Sequence, residues 1–347
     1  MNLSISQKQQ ISEAINPKHL SLTILPTEKC NFRCTYCYED FSIGKMPANK
    51  VLAIKQLILS RMKDLTTLRL NWFGGEPLIA SDILLDLSSF AKNECEKYGI
   101  SFLSGDITTN GSLLSKELLE KLIAANQKSF QISLDGWQEG HNQTRKSGNA
   151  EGTFNAIWSN LLMMRDTHFD FSTTIRVHLT DSNFGSAKQL AHEIVKEFST
   201  DKRFNVFIKA IENLGGPNKN KVNSLSENER KAQSNELEEI FRPLKQSDTS
   251  SLLQGGYICY ASKPNHLVIR ADGRIAKCTV AFDDPKNAVG LLQDDGTLSF
   301  DNEKLSHWFR GIIRRDAEIM ACPVFIRQHE KVPQGKRVIK IAQEAIV

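Results

Sequence analysis

A chain of 347 residues, 40% apolar and 24% charged, can bury one large core with a smaller second unit and is too apolar for disorder. Its net charge of +4 gives no case for a nucleic-acid partner, and no run reaches the ~18 consecutive apolar residues of a membrane span. The expectation is a cytoplasmic protein without membrane or nucleic-acid partners, whose seven cysteines point to metal or redox chemistry before disulfides.

After a polar segment, residues 1–18, strand-like runs alternate with helical ones. The predicted strands are Leu20–Pro26, Leu68–Phe73, Phe102–Thr108, Phe130–Leu134, Thr173–Leu179 and Val206–Ile211. Between them, apolar residues at three- and four-residue steps predict helices near 48–62, 81–97, 115–125, 153–165 and 185–198. Strand and helix in strict alternation give a parallel sheet with helices outside, an α/β partial (β/α)6 TIM-like barrel over 19–214. A turn-rich connection and a charged helix, Glu227 to Phe241, fill 215–250, followed by a Ser/Gln/Gly linker at Ser247–Gly256. The remainder, 251–347, reads as a small α+β domain with a hairpin at Asp272-Gly273.

The first strand runs straight into Cys30, Cys34 and Cys37, spaced C-x3-C-x2-C. Structural zinc wants four N or S ligands, and the only nearby histidine, His19, lies before the strand. Three thiolates can instead hold three irons of a 4Fe–4S cluster and leave the fourth iron open. Further candidates sit at the ends of later strands: Gly74-Gly75-Glu76-Pro77, Thr109-Asn110-Gly111, Ser133-Leu134-Asp135-Gly136 and Val177-His178. In β/α barrels chemistry gathers at the C-terminal strand ends, so these segments are expected to share one site.

The cysteine trio followed by these turns resembles the radical S-adenosylmethionine (SAM) superfamily. The phrases Asn71-Trp72-Phe73-Gly74-Gly75-Glu76-Pro77 and Ile132-Ser133-Leu134-Asp135-Gly136 resemble its peptide-modifying (RiPP maturase) branch, with a SPASM or twitch domain at the C-terminus. The resemblance implies reductive cleavage of SAM on the open iron to a 5′-deoxyadenosyl radical that abstracts hydrogen from the substrate. It gives Gly74, Gly75, Glu76 and Pro77 to the methionyl ammonium, Tyr36 to the adenine, Ser133 to the ribose and Arg145 to the SAM carboxylate. Thr109 and Asn110 belong to another SAM-binding element, and Asp135 is either a ribose contact or a turn residue. Val177-His178 fall where the family has a Val-Asn adenine contact, and the histidine departs from that pattern.

Cys259, thirteen residues, Gly273, four residues and Cys278 are similar to the opening of a SPASM/twitch domain, but only Cys322 follows. The positions where further ligands would fall hold residues such as Ile319, Phe325 or Gln328, which argues against a second auxiliary cluster. One auxiliary 4Fe–4S cluster on Cys259, Cys278 and Cys322, remnants of a lost cluster, or a hydrogen-donating thiol beside two structural ones all stay open.

The leading functional expectation is modification of a ribosomally made precursor peptide by an intramolecular carbon–carbon or thioether crosslink, with a flavodoxin- or ferredoxin-type one-electron reductant. Alternatives are peptide epimerisation, sulfatase-maturating oxidation of a protein Cys or Ser, and, remotely, a non-catalytic iron–sulfur or zinc protein. Sulfatase maturases carry an aspartate directly after the domain's glycine, where this chain has Arg274. With 18 residues before the first strand, leader binding is expected on the barrel, the 215–250 segment, the basic C-terminus or a separate protein.

Overall fold

The computed structural model describes residues 5–244 and 257–324. The Ser247–Gly256 linker, Phe325, Gln328 and the basic residues Lys331, Lys336, Arg337 and Lys340 lie outside them. A parallel array is formed by β1 (His19–Ile24), β2 (Thr67–Trp72), β3 (Ser101–Thr109), β4 (Ser129–Leu134), β5 (Ser172–Leu179) and β6 (Phe204–Ala210), paired in chain order. The crossover helices are α2 (Ala48–Arg61), α3 (Ser81–Tyr98), α4 (Lys116–Ala124), α6 (Phe154–Arg165) and α7 (Phe184–Phe198), within two residues of expectation. A short helix α1 (Ile5–Ala14) precedes the array.

Local chemistry sets the helix ends. Gly99 closes α3 in the left-handed region (φ 68°), and the Ser115 hydroxyl caps α4 by accepting from Leu118 N. The charged helix α8 (Glu227–Ile240) opens on a reciprocal capping box between Ser226 and Glu229. Sequence periodicity gave no sign of α5 (Gln138–Thr144), whose seven residues include no apolar side chain. Tertiary contacts hold it: buried His141 accepts from Asp135 N at 3.3 Å and meets the Thr153 hydroxyl at 3.1 Å.

The sheet continues past the linker. β7 (His266–Ile269) pairs in parallel with β1, from Ser21 opposite His266 to Ile24 opposite Ile269. The expected hairpin follows, with β8 (Arg274–Ala276) antiparallel to β7, and then β9 (Gly290–Leu292) and β10 (Leu298–Phe300), so ten strands form one open sheet. Packed on this end are α9 (Asn302–Arg314) and α10 (Ala317–Ala321). One cluster of buried side chains runs from Leu20 through to Phe309. No helix among the described residues is long and apolar enough to cross a membrane.

Each barrel strand has two different faces. Leu22, Leu70, Ile132 and Ile175 pack against the helices, while Ser21, Asn71, Gln131 and Arg176 turn to the lumen. A closed β/α barrel fills its interior with branched apolar side chains. Here polar side chains surround a chamber of about 630 Å³.

Where β1 and β7 end, Glu28 is buried and accepts from Arg270 Nε at 3.0 Å. Glu28→Ala should therefore strand a largely buried guanidinium at this seam and lower stability by about 2 kcal/mol. A fall in the urea midpoint checks this, and an unchanged midpoint would show that the pair does not hold the seam.

Candidate active site

The cysteine loop follows β1 and is clamped from two sides. On one side Phe32 bridges Ser147, Arg33 N donates to Lys146 O at 2.8 Å and Thr35 N to Thr144 O at 2.9 Å. On the other, Glu76 N donates to Lys29 O at 3.0 Å. Gly75 (φ 43°) lies so close that an added Cβ would stand 2.2 Å from that same Lys29 carbonyl. Asn31 ties the loop to the turn after β3 by accepting from Asn110 Nδ2 at 2.8 Å. Beyond the trio, Asn218 Nδ2 donates to Cys37 O at 3.0 Å.

Cys30, Cys34 and Cys37 line one cavity together with Tyr36, Gly74, Gly75, Thr109, Asn110, Ser133, Arg145 and His178. Burial pushes the Cys30 and Cys37 thiols up to about 12 and raises Cys34 as well, so metal binding there must displace protons. Among the described residues no three His, Cys, Asp or Glu side chains converge as ligands of a single ion. The three thiols share one cavity wall.

Other predicted residues sit behind the cavity wall. Glu76 is fully buried, accepting from Thr109 Oγ1 and Asn110 N at 2.6 Å each and from Leu78 N at 3.0 Å, so its carboxylate ties the ends of β2 and β3 together. Pro77 opens the short turn behind it, and Val177 packs in the core with its side chain on the opposite face of β5 from Arg176 and His178. Asp135 is a fully buried acceptor for Tyr36 OH at 2.9 Å, His178 Nδ1 at 3.1 Å and Thr144 Oγ1 at 2.6 Å. Burial opposes its charge, but the His178 hydrogen bond and Arg145 together hold it well below the usual carboxylate range. Burial also holds His178 down to about 4, despite the aspartate, so the ring is neutral near pH 7.

Arg145 is 7% exposed, donates to Tyr36 OH at 3.0 Å and stands 3.9 Å from Asp135. Its Nε is buried without a partner. An orphaned guanidinium N–H beside three thiols is a receptor for an anionic group.

Sequence reasoning missed Glu39 and Arg176, which also line the cavity. Glu39 accepts from Gly75 N at 2.8 Å, and burial pushes its carboxyl up to about 7. Its signal was its position two residues after Cys37. For Arg176 the signal was a charge in mid-strand, on the polar side of the Thr174, Arg176, His178 alternation.

In the C-terminal part, Cys259, Cys278 and Cys322 come from three separated segments yet lie within electrostatic reach of one another. Burial pushes the Cys278 thiol up to about 11.

Residues 24–194 match the Radical SAM superfamily family model. The chain belongs to the radical SAM superfamily. Its curated relatives include a cysteine-type anaerobic sulfatase-maturating enzyme of Clostridium novyi, 28% identical over 235 residues, covering 65% of this chain and 60% of that one. A GTP 3′,8-cyclase of Ectopseudomonas mendocina is 34% identical over 120 residues, 34% of each chain. The chain thus spans less than two thirds of these relatives' lengths. Among solved structures, anSMEcpe with bound AdoMet and Cp18Cys peptide aligns with TM-score 0.63 and 19% identity over 88% of each chain. Streptococcus suis SuiB bound to precursor peptide SuiA aligns with TM-score 0.51 and 16% identity over 88% of this chain and 69% of that one. These two structures share the fold.

The radical SAM family implies SAM and a 4Fe–4S cluster, and the donor set fits both: three thiols for iron, and the free Arg145 N–H for a carboxylate. Gly75→Ala should push the Lys29 carbonyl and with it the cysteine loop, cutting iron uptake on anaerobic reconstitution several-fold. Iron and sulfide analysis checks this, and full uptake would show that the loop does not depend on the glycine cradle.

The His178 shift also predicts a pH effect. Its folded value, about 4, lies below the ordinary 6.5, so between those values the unfolded chain binds the extra proton and stability falls with falling pH. His178→Asn should accordingly lose less stability than the wild type between pH 7 and pH 5, as read from urea midpoints of the metal-free protein.

Proposed function

We propose that this chain is a radical SAM enzyme that modifies a peptide, forming an intramolecular side-chain crosslink. The observation that carries the reading is the junction of two cavities. The thiol-lined cavity and the polar chamber share Tyr38, Phe73, Thr108, Arg176 and Leu214 as walls. A side chain reaching up the barrel would therefore arrive beside the cysteine loop. Peptides named with anSMEcpe and SuiB support the substrate class.

Cys30, Cys34 and Cys37 would hold the 4Fe–4S cluster, Arg145 would receive the SAM carboxylate, and Ser133 and His178 would border the nucleoside. When bound, these groups supply hydrogen-atom abstraction, given one electron from a flavodoxin- or ferredoxin-type donor. The protein's part is to hold the site. Tyr36, clamped between Arg145 and Asp135, gives the cavity a fixed polar wall. The 215–218 loop is tied to the cysteine loop by Asn218 Nδ2, which donates to Cys37 O at 3.0 Å, and to the C-terminal part by Gly216 N, which donates to Asp283 Oδ2 at 2.8 Å. A crosslink removes two electrons from the peptide, and an auxiliary cluster on Cys259, Cys278 and Cys322 would be the acceptor for the second.

A second reading, oxidation of a protein cysteine as in sulfatase maturation, is favoured by the Clostridium relative. Against it, Arg274 and not an aspartate follows Gly273, and the carboxylate before the glycine, Asp272, is engaged by Arg274 Nε at 2.6 Å.

Co-expression under low oxygen with a peptide encoded beside the gene should give a product two hydrogens lighter, located to one residue pair by fragmentation. An unchanged mass would overturn the crosslink, and an aldehyde at a single cysteine would establish the second reading. Cys34→Ala should abolish SAM cleavage. Arg145→Ala should weaken SAM binding about 10- to 100-fold while leaving iron content intact; unchanged affinity would remove Arg145 from the site.

A further inference from the structure

Arg176 stands where the thiol-lined cavity opens into the chamber and lines both. Three other buried or half-buried cations nearby have partners. Arg145 leans on Tyr36 and Asp135, Lys209 pairs with Glu212 at 2.7 Å, and Arg270 pairs with Glu28. No described residue accepts a hydrogen bond from the Arg176 guanidinium, and its Nε is buried without a partner. Asp135 is already committed to Tyr36, His178 and Thr144.

A guanidinium keeps its charge at neutral pH, so burial cannot be relieved by losing a proton. Arg176 is half-buried, with its Nε enclosed and its remaining nitrogens on the cavity walls. A partly desolvated charge without a counter-charge is unfavourable, and an anion arriving in the cavity relieves that cost. The chamber lining indicates how much negative charge it accepts. Arg69, Lys263 and Arg176 stand against Glu13 and Asp106, three cations to two carboxylates, an excess of one positive charge. That balance suits a ligand with a single negative charge.

We propose that Arg176 binds a carboxylate of the peptide substrate next to the residue that is modified, and so sets the enzyme's sequence preference. The carboxylate is an Asp or Glu side chain or the peptide's own C-terminus. This rests on the peptide reading given above. A planar carboxylate can take two parallel hydrogen bonds from the guanidinium, which fixes orientation as well as charge.

The test uses the reconstituted enzyme with SAM and three synthetic pentapeptide pools. One has a central Asp and an amidated C-terminus, one a central Asn and an amidated C-terminus, and one a central Asn and a free C-terminus. Retention is measured by affinity selection with mass spectrometry. The wild type should retain one acidic pool over the neutral pool about tenfold, and which pool it is names the carboxylate's source. Arg176→Gln should lose that preference, Arg176→Lys should keep part of it, and both should bind SAM as the wild type does. Equal retention of acidic and neutral pools by the wild type would overturn the assignment while leaving the peptide reading standing. So would an undiminished preference in Arg176→Gln, or loss of its SAM binding, which would place Arg176 on the cofactor. If no pool is retained and inorganic pyrophosphate binds instead, the proposal and the peptide reading both fall.

Discussion

The buried carboxylate of Glu76 is the joint on which the site depends. It collects three hydrogen bonds from Thr109, Asn110 and Leu78, and so locks the end of β2 to the end of β3. Its own backbone N–H reaches across to Lys29, the residue before the first cysteine. A carboxylate with no water around it must find protein donors, and donors that leave it would be buried unsatisfied. That mutual requirement fixes the glycine turn, and the turn in turn fixes where the cysteine loop can lie.

Asp135 plays the same part on the opposite wall. Tyr36, His178, Thr144 and Arg145 all orient toward one buried carboxylate, so residues from the cysteine loop, β5 and the turn after α5 share a single anchor. Both carboxylates lie behind the cavity surface. The groups left facing the cavity are those with capacity to spare: three thiols, the Arg145 Nε, the Ser133 hydroxyl and the Arg176 guanidinium. With Glu76 and Asp135 satisfied internally, the cavity wall keeps the Arg145 and Arg176 guanidiniums beside the Glu39 carboxyl, and those two donors suit an anionic cofactor group and an incoming carboxylate.

The alternation of apolar runs was enough to read the six barrel strands and five crossover helices, because each must bury one face against the other layer. Cys30, Cys34 and Cys37 were legible because thiols at that spacing have few structural uses. By contrast, α5 was invisible, since His141, Asp135 and Thr153 hold it through polar contacts that leave no periodic trace. The parallel pairing of β7 with β1 was equally hidden. It joins strands some 245 residues apart, and nothing in either strand names its neighbour. Glu76 and Val177 show a related limit. The motif places both at strand ends, but which way a side chain turns there is settled by the neighbouring strand.

The sequence by itself determined the fold class, the succession of the six barrel strands and the cysteine trio, because periodicity and cysteine spacing are local properties of the chain. Only the tertiary structure decided which polar residues hold the framework and which are left free. That division depends on hydrogen-bond partners far apart in sequence: among the described residues Glu76 collects three donors where Glu39 has one, and Arg145 holds Tyr36 where Arg176 holds no partner.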